Sequence, residues 1–288
     1  MPSPVIVGID GSAPAERALD WAAAEAASRG APLRLVHTSL WDRYEPDSSD
    51  NPDLAQARKA VADLVAVAMD RVTARWPDVQ AQVEVVPNAP APALLEAASS
   101  ASLLVVGNRG HGGFTGLLLG SVGLQVAARA ACPVVVVRGA GDAVERHHGR
   151  IVLGVSDAEA SGPAASFAFE YAERWGARLE AVHAWHAPPD PFLAYGPGQS
   201  AMADAYYVQA GSALRSATSQ AAATHPRVPL HLTPRWGLAH SALVESAAEA
   251  DLLVVGARRR PGPGLQLGPV NHAVLHHAPC PVAVVPHP

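Results

Sequence analysis

The sequence is written twice. LLVVG at Leu103–Gly107 returns at Leu252–Gly256, and CPVVVV at Cys132–Val137 returns as CPVAVV at Cys280–Val285. VIVGID at Val5–Asp10 is answered by IVLGVS at Ile151–Ser156, and LRLVH at Leu33–His37 by LEAVH at Leu179–His183. The offset stays between 146 and 149 residues through all four blocks. A period that long is a whole domain, not one unit of a solenoid. With 288 residues in all, it agrees with the usual figure of about 150 residues per domain. The polar, glycine-containing stretch Gly139–Gly149, GAGDAVERHHG, marks the join. The expected division is a first domain over 1–139, a linker over 140–149 and a second domain over 150–288.

Within the first copy the pattern alternates. Val5–Ile9, Leu33–Thr38, Val83–Val86, Leu103–Val106 and Pro133–Val137 read as short apolar strands. Between them, Ala13–Arg29, Asp53–Arg75, Pro90–Ser99 and a segment from Ser121 read as helices. In Asp53–Arg75 the residues Leu54, Ala57, Val61, Leu64, Val65 and Ala68 recur at the three- and four-residue spacing of one helical face. Strands alternating with helices give βαβ units and a parallel sheet. Continuous runs such as LLVV and VVVV suit strands buried on both faces. The second copy repeats the scheme but adds a Pro/Gly-rich excursion, His186–Ser200, that is either a lid, a partner-binding loop or surface decoration.

Composition narrows the function. Apolar residues make up 49% of the chain and charged residues 16%, enough for a core in each half. The net charge is −5, from 21 basic and 26 acidic residues, which speaks against a nucleic-acid binder. No apolar run reaches the ~18 residues of a membrane span, and MPSPVIVGID lacks the layout of a secretory signal. The two cysteines, Cys132 and Cys280, stand at the same place in each copy and are not expected to bond. A cytoplasmic setting fits.

The stretch most suited to chemistry is Gly107–Val122, GNRGHGGFTGLLLGSV, in which six of sixteen residues are glycine. It follows a buried strand and runs into a helix. Ligands of open α/β sheets sit beyond the carboxyl ends of the strands. Glycine permits positive φ and close backbone approach, and the free N–H groups of a helix start attract anions. The local physics therefore points to phosphate. A lysine-type phosphate loop is excluded, because G-x-x-x-x-G-K-[ST] is absent and Lys59 is the only lysine. Backbone N–H groups, Ser121, Arg109 and Mg²⁺ are left to meet the charge. Asp10, ending the first strand, either contacts a ribose hydroxyl or metal, or caps the following helix.

Gly107-x-x-Gly110, nine residues, then Gly120-Ser121 resembles the signature of the ATP-binding class of universal stress proteins. VGIDGS, Val7–Ser12, resembles that family's opening strand, and ACPVVVV its closing one. The resemblance covers the whole chain as two copies. It implies an α/β fold of two tandem doubly wound, Rossmann-like domains, each with a five-stranded, mainly parallel sheet. It implies ATP, with or without Mg²⁺, as the ligand. Gly8 and Asp10 would lie beside the ribose and phosphates, and Thr38 near adenine. Gly107, Asn108, Arg109, Gly110, His111, Gly112, Gly113, Gly120, Ser121 and Val122 would wrap the phosphates. It further implies a regulator acting through a protein partner, with weak or no hydrolysis, and pairing of the CPV strands as a homodimer or within one chain. The rival readings are a nucleotide-free scaffold and a weak ATP hydrolase.

The second copy departs from the signature. Gly154 and Gly256 are kept, but Arg259 stands at the place of Gly110, Pro269 follows Gly268 where Ser121 follows Gly120, and Ser156 replaces Asp10. It is either a degenerate copy or an altered site in which Arg258, Arg259 and Arg260 supply charge. Of the remaining polar residues, Glu16, Asp20 and Glu25 read as a solvated helical face. The pairs His147–His148 and His276–His277 lack the surroundings of a metal site. The six tryptophans read as core or interface packing.

Overall fold

The computed structural model describes residues 2–40, 52–110, 119–156, 158–186, 197–258 and 267–287. The chain divides into two units, Met1–Arg138 and Gly139–Pro288. Unit 1 runs β1 (Val5–Gly8), α1 (Ala13–Arg29), β2 (Leu33–Thr38), α2 (Pro52–Arg75), β3 (Ala81–Val86), α3 (Pro90–Ala98), β4 (Leu103–Gly107), α4 (Ser121–Arg129) and β5 (Val134–Val137). Its strands lie in the order β3-β2-β1-β4-β5, and every neighbouring pair is parallel. Val5 sits opposite both Leu33 and Leu103, so β1 is central. Val5, Ile6 and Val7 are fully buried, as a strand covered by helices on both faces must be.

Alanine sets how close α1 comes to the sheet. Ala18, Ala22 and Ala26 recur every four residues and are fully buried, with Trp21 and Leu19 beside them. Small side chains on one stripe let the helix lie tightly on β1 and β4. Ser12 caps the helix start, its Oγ accepting from Ala15 N at 3.3 Å. The solvated face expected for Glu16, Asp20 and Glu25 needs one correction. Glu25 is fully buried and pairs with Arg29 Nε at 2.7 Å, since one turn of helix brings opposite charges together. Asp20 reaches across to α2 and receives Arg71 Nε at 2.6 Å and Nη2 at 2.7 Å. In α2, Leu54 and Ala68 of the expected stripe are buried, while Val61, Leu64 and Val65 are only partly covered.

Unit 2 repeats the plan. It runs α5 (Gly141–Val144), β6 (Arg150–Gly154), α6 (Ala158–Trp175), β7 (Arg178–Trp185), α7 (Pro197–Thr224), β8 (Leu230–Trp236), α8 (Ala239–Ser246), β9 (Leu252–Arg258), α9 (Pro269–His277) and β10 (Val282–His287). Its strand order is β10-β9-β6-β7-β8, again parallel throughout. The α/β class with doubly wound parallel sheets is thus observed in both copies. The excursion His186–Ser200 is shorter than expected at its far end, because α7 already begins at Pro197; proline's fixed φ suits a first helical turn. Residues 187–196 lie outside the described residues. Among the tryptophans, Trp21 is core at 1% exposure, whereas Trp236 is 63% exposed and meets Trp185 edge-to-face, 4.9 Å between centroids. Both cysteines are buried, and neither forms a disulfide.

A cross-strand ion pair in unit 2 makes stability depend on pH. Glu180 on β7 receives Arg150 Nε of β6 at 3.1 Å, each side chain about one-seventh exposed. Burial pushes the Glu180 carboxyl up, but the hydrogen bond and charge of Arg150, helped by Thr233 and Arg235, outweigh it and hold it below the ordinary 4.5. A lowered folded pKa stabilises the fold fully above the unfolded value, and that stabilisation disappears as pH falls through the folded value. Thermal melts of the native chain are therefore expected to lose stability below pH 4.5, and Glu180→Gln should flatten that loss. Parallel acid profiles for the two proteins would contradict the assignment.

Candidate functional site

The sheet order of unit 1 reverses at β1. The chain leaves β1 toward β2 on one side, and β4 returns on the other, so the ends of β1 and β4 open a crevice. Asp10 stands two residues beyond β1. Its Oδ1 accepts from Ser12 N at 2.9 Å and from Ser12 Oγ at 2.6 Å. Ser12, not Asp10, is thus the cap of α1, and Asp10 holds the cap in place. This leaves the carboxylate at the crevice mouth, where it borders the cleft.

The cleft has a volume of about 360 Å³, within the usual range of roughly 300–1,000 Å³ for ligand sites. Four separate segments bring expected site residues to it. The β1 end contributes Gly8 and Asp10, the β2 end Thr38, the β4 end Gly107, Arg109 and Gly110, and the α4 start Gly120, Ser121 and Val122. The expected site residues therefore converge, with two exceptions. Asn108 is not part of the lining; its N–H donates to Val137 O at 3.1 Å and its carbonyl accepts from Gly120 N at 2.8 Å, which ties the two ends of the glycine loop together. His111, Gly112 and Gly113 lie outside the described residues.

Of the two properties expected of the loop glycines, positive φ and close backbone approach, the described ones show the second. Positive φ is found at Gly11, Gly30, Gly139, Gly149, Gly176 and Gly237, and at none of Gly107, Gly110 or Gly120. Close approach is the reason instead. A Cβ on Gly107 would come within 2.7 Å of the Pro14 carbonyl carbon and oxygen, at the start of α1. A Cβ on Gly110 would overlap Asp10 Oδ2.

Two buried polar atoms at the β4 end have no hydrogen-bond partner among the described residues: Arg109 Nε and Asn108 Oδ1. A buried guanidinium nitrogen without a partner is costly, and this one belongs to a residue that lines the cleft. By helix geometry the first N–H groups of α4 also lack intrahelical partners; the first α4 bond back to the cap is Leu124 N to Gly120 O at 3.2 Å. Donors and positive charge thus converge on one end of the cleft, while Ile9, Val36, Pro90 and Leu94 make the rest apolar. That division suits a molecule with an anionic tail and a flat apolar head.

Sequence reasoning missed His37 and Gly123, which both border the cleft. His37 Nδ1 donates to Ile9 O at 2.9 Å, locking the β2 end to the β1 end. His183 repeats this bond to Val155 O at 2.9 Å in unit 2. The histidine shared by LRLVH and LEAVH was the signal that could have found it.

In unit 2, Gly154 ends β6, Gly256 lies inside β9, Arg258 ends β9 and Gly268 caps α9. Arg259 lies outside the described residues. A cleft of about 580 Å³ in this unit is bordered by Ser156, His183, Trp185 and Tyr206 and by none of those glycines. No group of three or more metal-ligating side chains occurs among the described residues. No helix among them is long and apolar enough to cross a membrane.

Comparison with known proteins agrees with both copies. The model of the universal stress protein family matches residues 1–138 and again 147–286. A universal stress protein of Mycobacterium tuberculosis is 34% identical over 289 residues, covering 97% of this chain and 96% of its own. One from Mycolicibacterium smegmatis is 30% identical over 299 residues, covering 98% and 96%. Among solved structures, a universal stress protein from Archaeoglobus fulgidus superposes with a TM-score of 0.65 over 99% of each chain. Its 16% identity shows a shared fold.

Proposed function

Because this chain belongs to the universal stress protein family, we propose that it serves the stress response as a nucleotide-dependent regulator whose unit 1 binds ATP. The observation that carries the reading is the cleft itself. Four segments far apart in sequence bring Gly8, Asp10, Thr38, Gly107, Arg109, Gly110, Gly120, Ser121 and Val122 to one crevice at the strand-order switch. The partnerless Arg109 Nε and the N–H groups of the α4 start fit the polyphosphate. Asp10 fits a ribose hydroxyl or a Mg²⁺ carried in by the phosphates. Thr38 and the apolar wall of Val36, Pro90 and Leu94 fit the base. Mass spectrometry of small molecules released from the freshly purified, denatured chain tests this. ATP or ADP in amounts comparable to the protein is expected. A nucleotide-free preparation that also fails to take up added ATP would favour the scaffold reading.

The same geometry argues for regulation over turnover. Among the described residues that border the cleft, none but Asp10 and His37 is of a type that takes a proton from water. Asp10 Oδ1 holds the Ser12 cap and His37 donates its Nδ1–H to Ile9 O, so both side chains are used to fix the strand ends, and among the described residues no lysine borders the cleft to meet the charge that builds in phosphoryl transfer. Hydrolysis is expected to be far slower than the roughly 1–100 s⁻¹ of kinases, as steady-state phosphate release would show. Multiple turnover in that range would make the chain an enzyme. A protein partner then reads the bound state. β5 and β10 each stand at one end of their own unit's sheet, and such edges are ordinarily covered. Pairing through them, within a chain or as a homodimer, is expected, and sedimentation analysis of the full chain and of each unit alone checks it.

A further inference from the structure

Unit 2 was left open by its sequence: a degenerate copy, or a site rebuilt around arginines. We infer that Asn271 closes unit 2's counterpart of the ATP cleft, so that the full chain takes up one nucleotide, and that the exchange of Gly123 for Asn271 sets which half binds. This rests on the reading of unit 1 as the ATP site.

α4 and α9 correspond residue for residue. Gly120 and Gly268 are their caps, Val126 and Val274 are both fully buried, and Gly123 therefore matches Asn271. In unit 1, Gly123 borders the cleft. A Cβ built on it would lie 3.7 Å from Gly107 O, the carbonyl at the β4 end, and 3.2 Å from Leu119 Cδ1. In unit 2 that direction is occupied by a side chain. Asn271 is buried, 9% exposed, and its Nδ2 donates to Gly256 O at 2.8 Å. Gly256 is the match of Gly107. One amide group thus bridges the helix start to the strand end, where unit 1 has no side chain on the helix and Leu119 Cδ1 alongside.

The backbone around the bridge closes the same way. Ladder pairing in unit 1 stops at Gly107 opposite Val137. In unit 2 it continues past Gly256, with Ala257 opposite Pro286 and Arg258 opposite His287. The chain stays in the sheet where its counterpart turns out to form the cleft wall. At the helix start, Pro269 supplies neither N–H nor hydroxyl where Ser121 supplies both, and Ser156 replaces Asp10. The cleft of about 580 Å³ that unit 2 keeps is bordered by Ser156 and His183 but by neither Gly256 nor Gly268, so it lacks the phosphate end.

Titration calorimetry of the full chain with Mg·ATP, wild type against Gly123→Asn, reads the consequence. One site per chain is expected, with affinity reduced about tenfold or more in Gly123→Asn while circular dichroism shows the fold retained. Two equivalent sites in the wild type, or wild-type affinity in the variant, would overturn the inference. A second readout is independent of nucleotide: the Asn271 side-chain amide protons should exchange with water far more slowly than those of an exposed asparagine. Fast exchange would overturn the closure even if the variant does not fold. A chain that takes up no ATP but protects those protons would contradict the reading of unit 1 and leave the closure upheld.

Discussion

Gly107→Ala is expected to destabilise unit 1 by about 1–3 kcal/mol, the usual cost of forcing an extra carbon into a packed interior. The cost falls on backbone. The new Cβ would sit 2.7 Å from both the carbonyl carbon and the oxygen of Pro14, and no rotamer change moves a peptide group. Either the first turn of α1 lifts off the sheet or β4 shifts in register with β1 and β5. The first uncovers the alanine stripe Ala18, Ala22 and Ala26, and the second strains two ladders at once. Chemical denaturation followed by circular dichroism measures the loss. Unchanged stability would mean that α1 does not lie as close to β4 as the alanine stripe permits. The first glycine of the Gly107–Ser121 motif is thus demanded by helix packing alone.

Gly110→Ala should do the reverse, sparing the fold and costing the ligand. Gly110 is exposed, and the atom its Cβ would meet is the end of the Asp10 side chain. Asp10 can yield only by giving up its bonds to Ser12 N and Oγ, at 2.9 and 2.6 Å. Its carboxylate would then leave the cleft mouth. Loss of one hydrogen bond to a charged group costs about 1.5–3 kcal/mol, or roughly ten- to hundred-fold in ATP affinity. Asp10→Ala should give a similar loss. Asp10→Asn separates the two tasks of the carboxylate: a ribose contact tolerates the amide, and a magnesium contact does not. Wild-type ATP affinity in both Gly110→Ala and Asp10→Ala, by fluorescence or calorimetric titration, would remove the β1 end from the site.

Much of this was legible in the sequence because the chain states it twice. The apolar blocks that repeat are the buried strands, and short apolar runs alternating with helical segments placed β1, α1, β2 and β4 to within a residue or so at most ends. The convergence of the candidate residues on one cleft was legible because they follow strand ends, where α/β sheets bind ligands. What stayed hidden was contact across the fold. Spacing shows that Glu25 and Arg29 can pair but not that the helix face carrying them is buried, and nothing local says that Gly107 packs against Pro14. Nothing in its helical surroundings marks Asn271 as the residue whose amide bonds the Gly256 carbonyl. Ser12 and Asp10 could each have capped α1 by composition, and only geometry separated them.

Hydrogen–deuterium exchange of the full chain, with and without saturating Mg·ATP, tests the central claim most directly. Protection is expected in peptides spanning Ile9–Gly11, Gly107–Gly110 and Leu119–Gly123, with the matching peptides around Ser156, Gly256 and Asn271 unchanged. No protection anywhere in unit 1, or protection confined to unit 2, would contradict it.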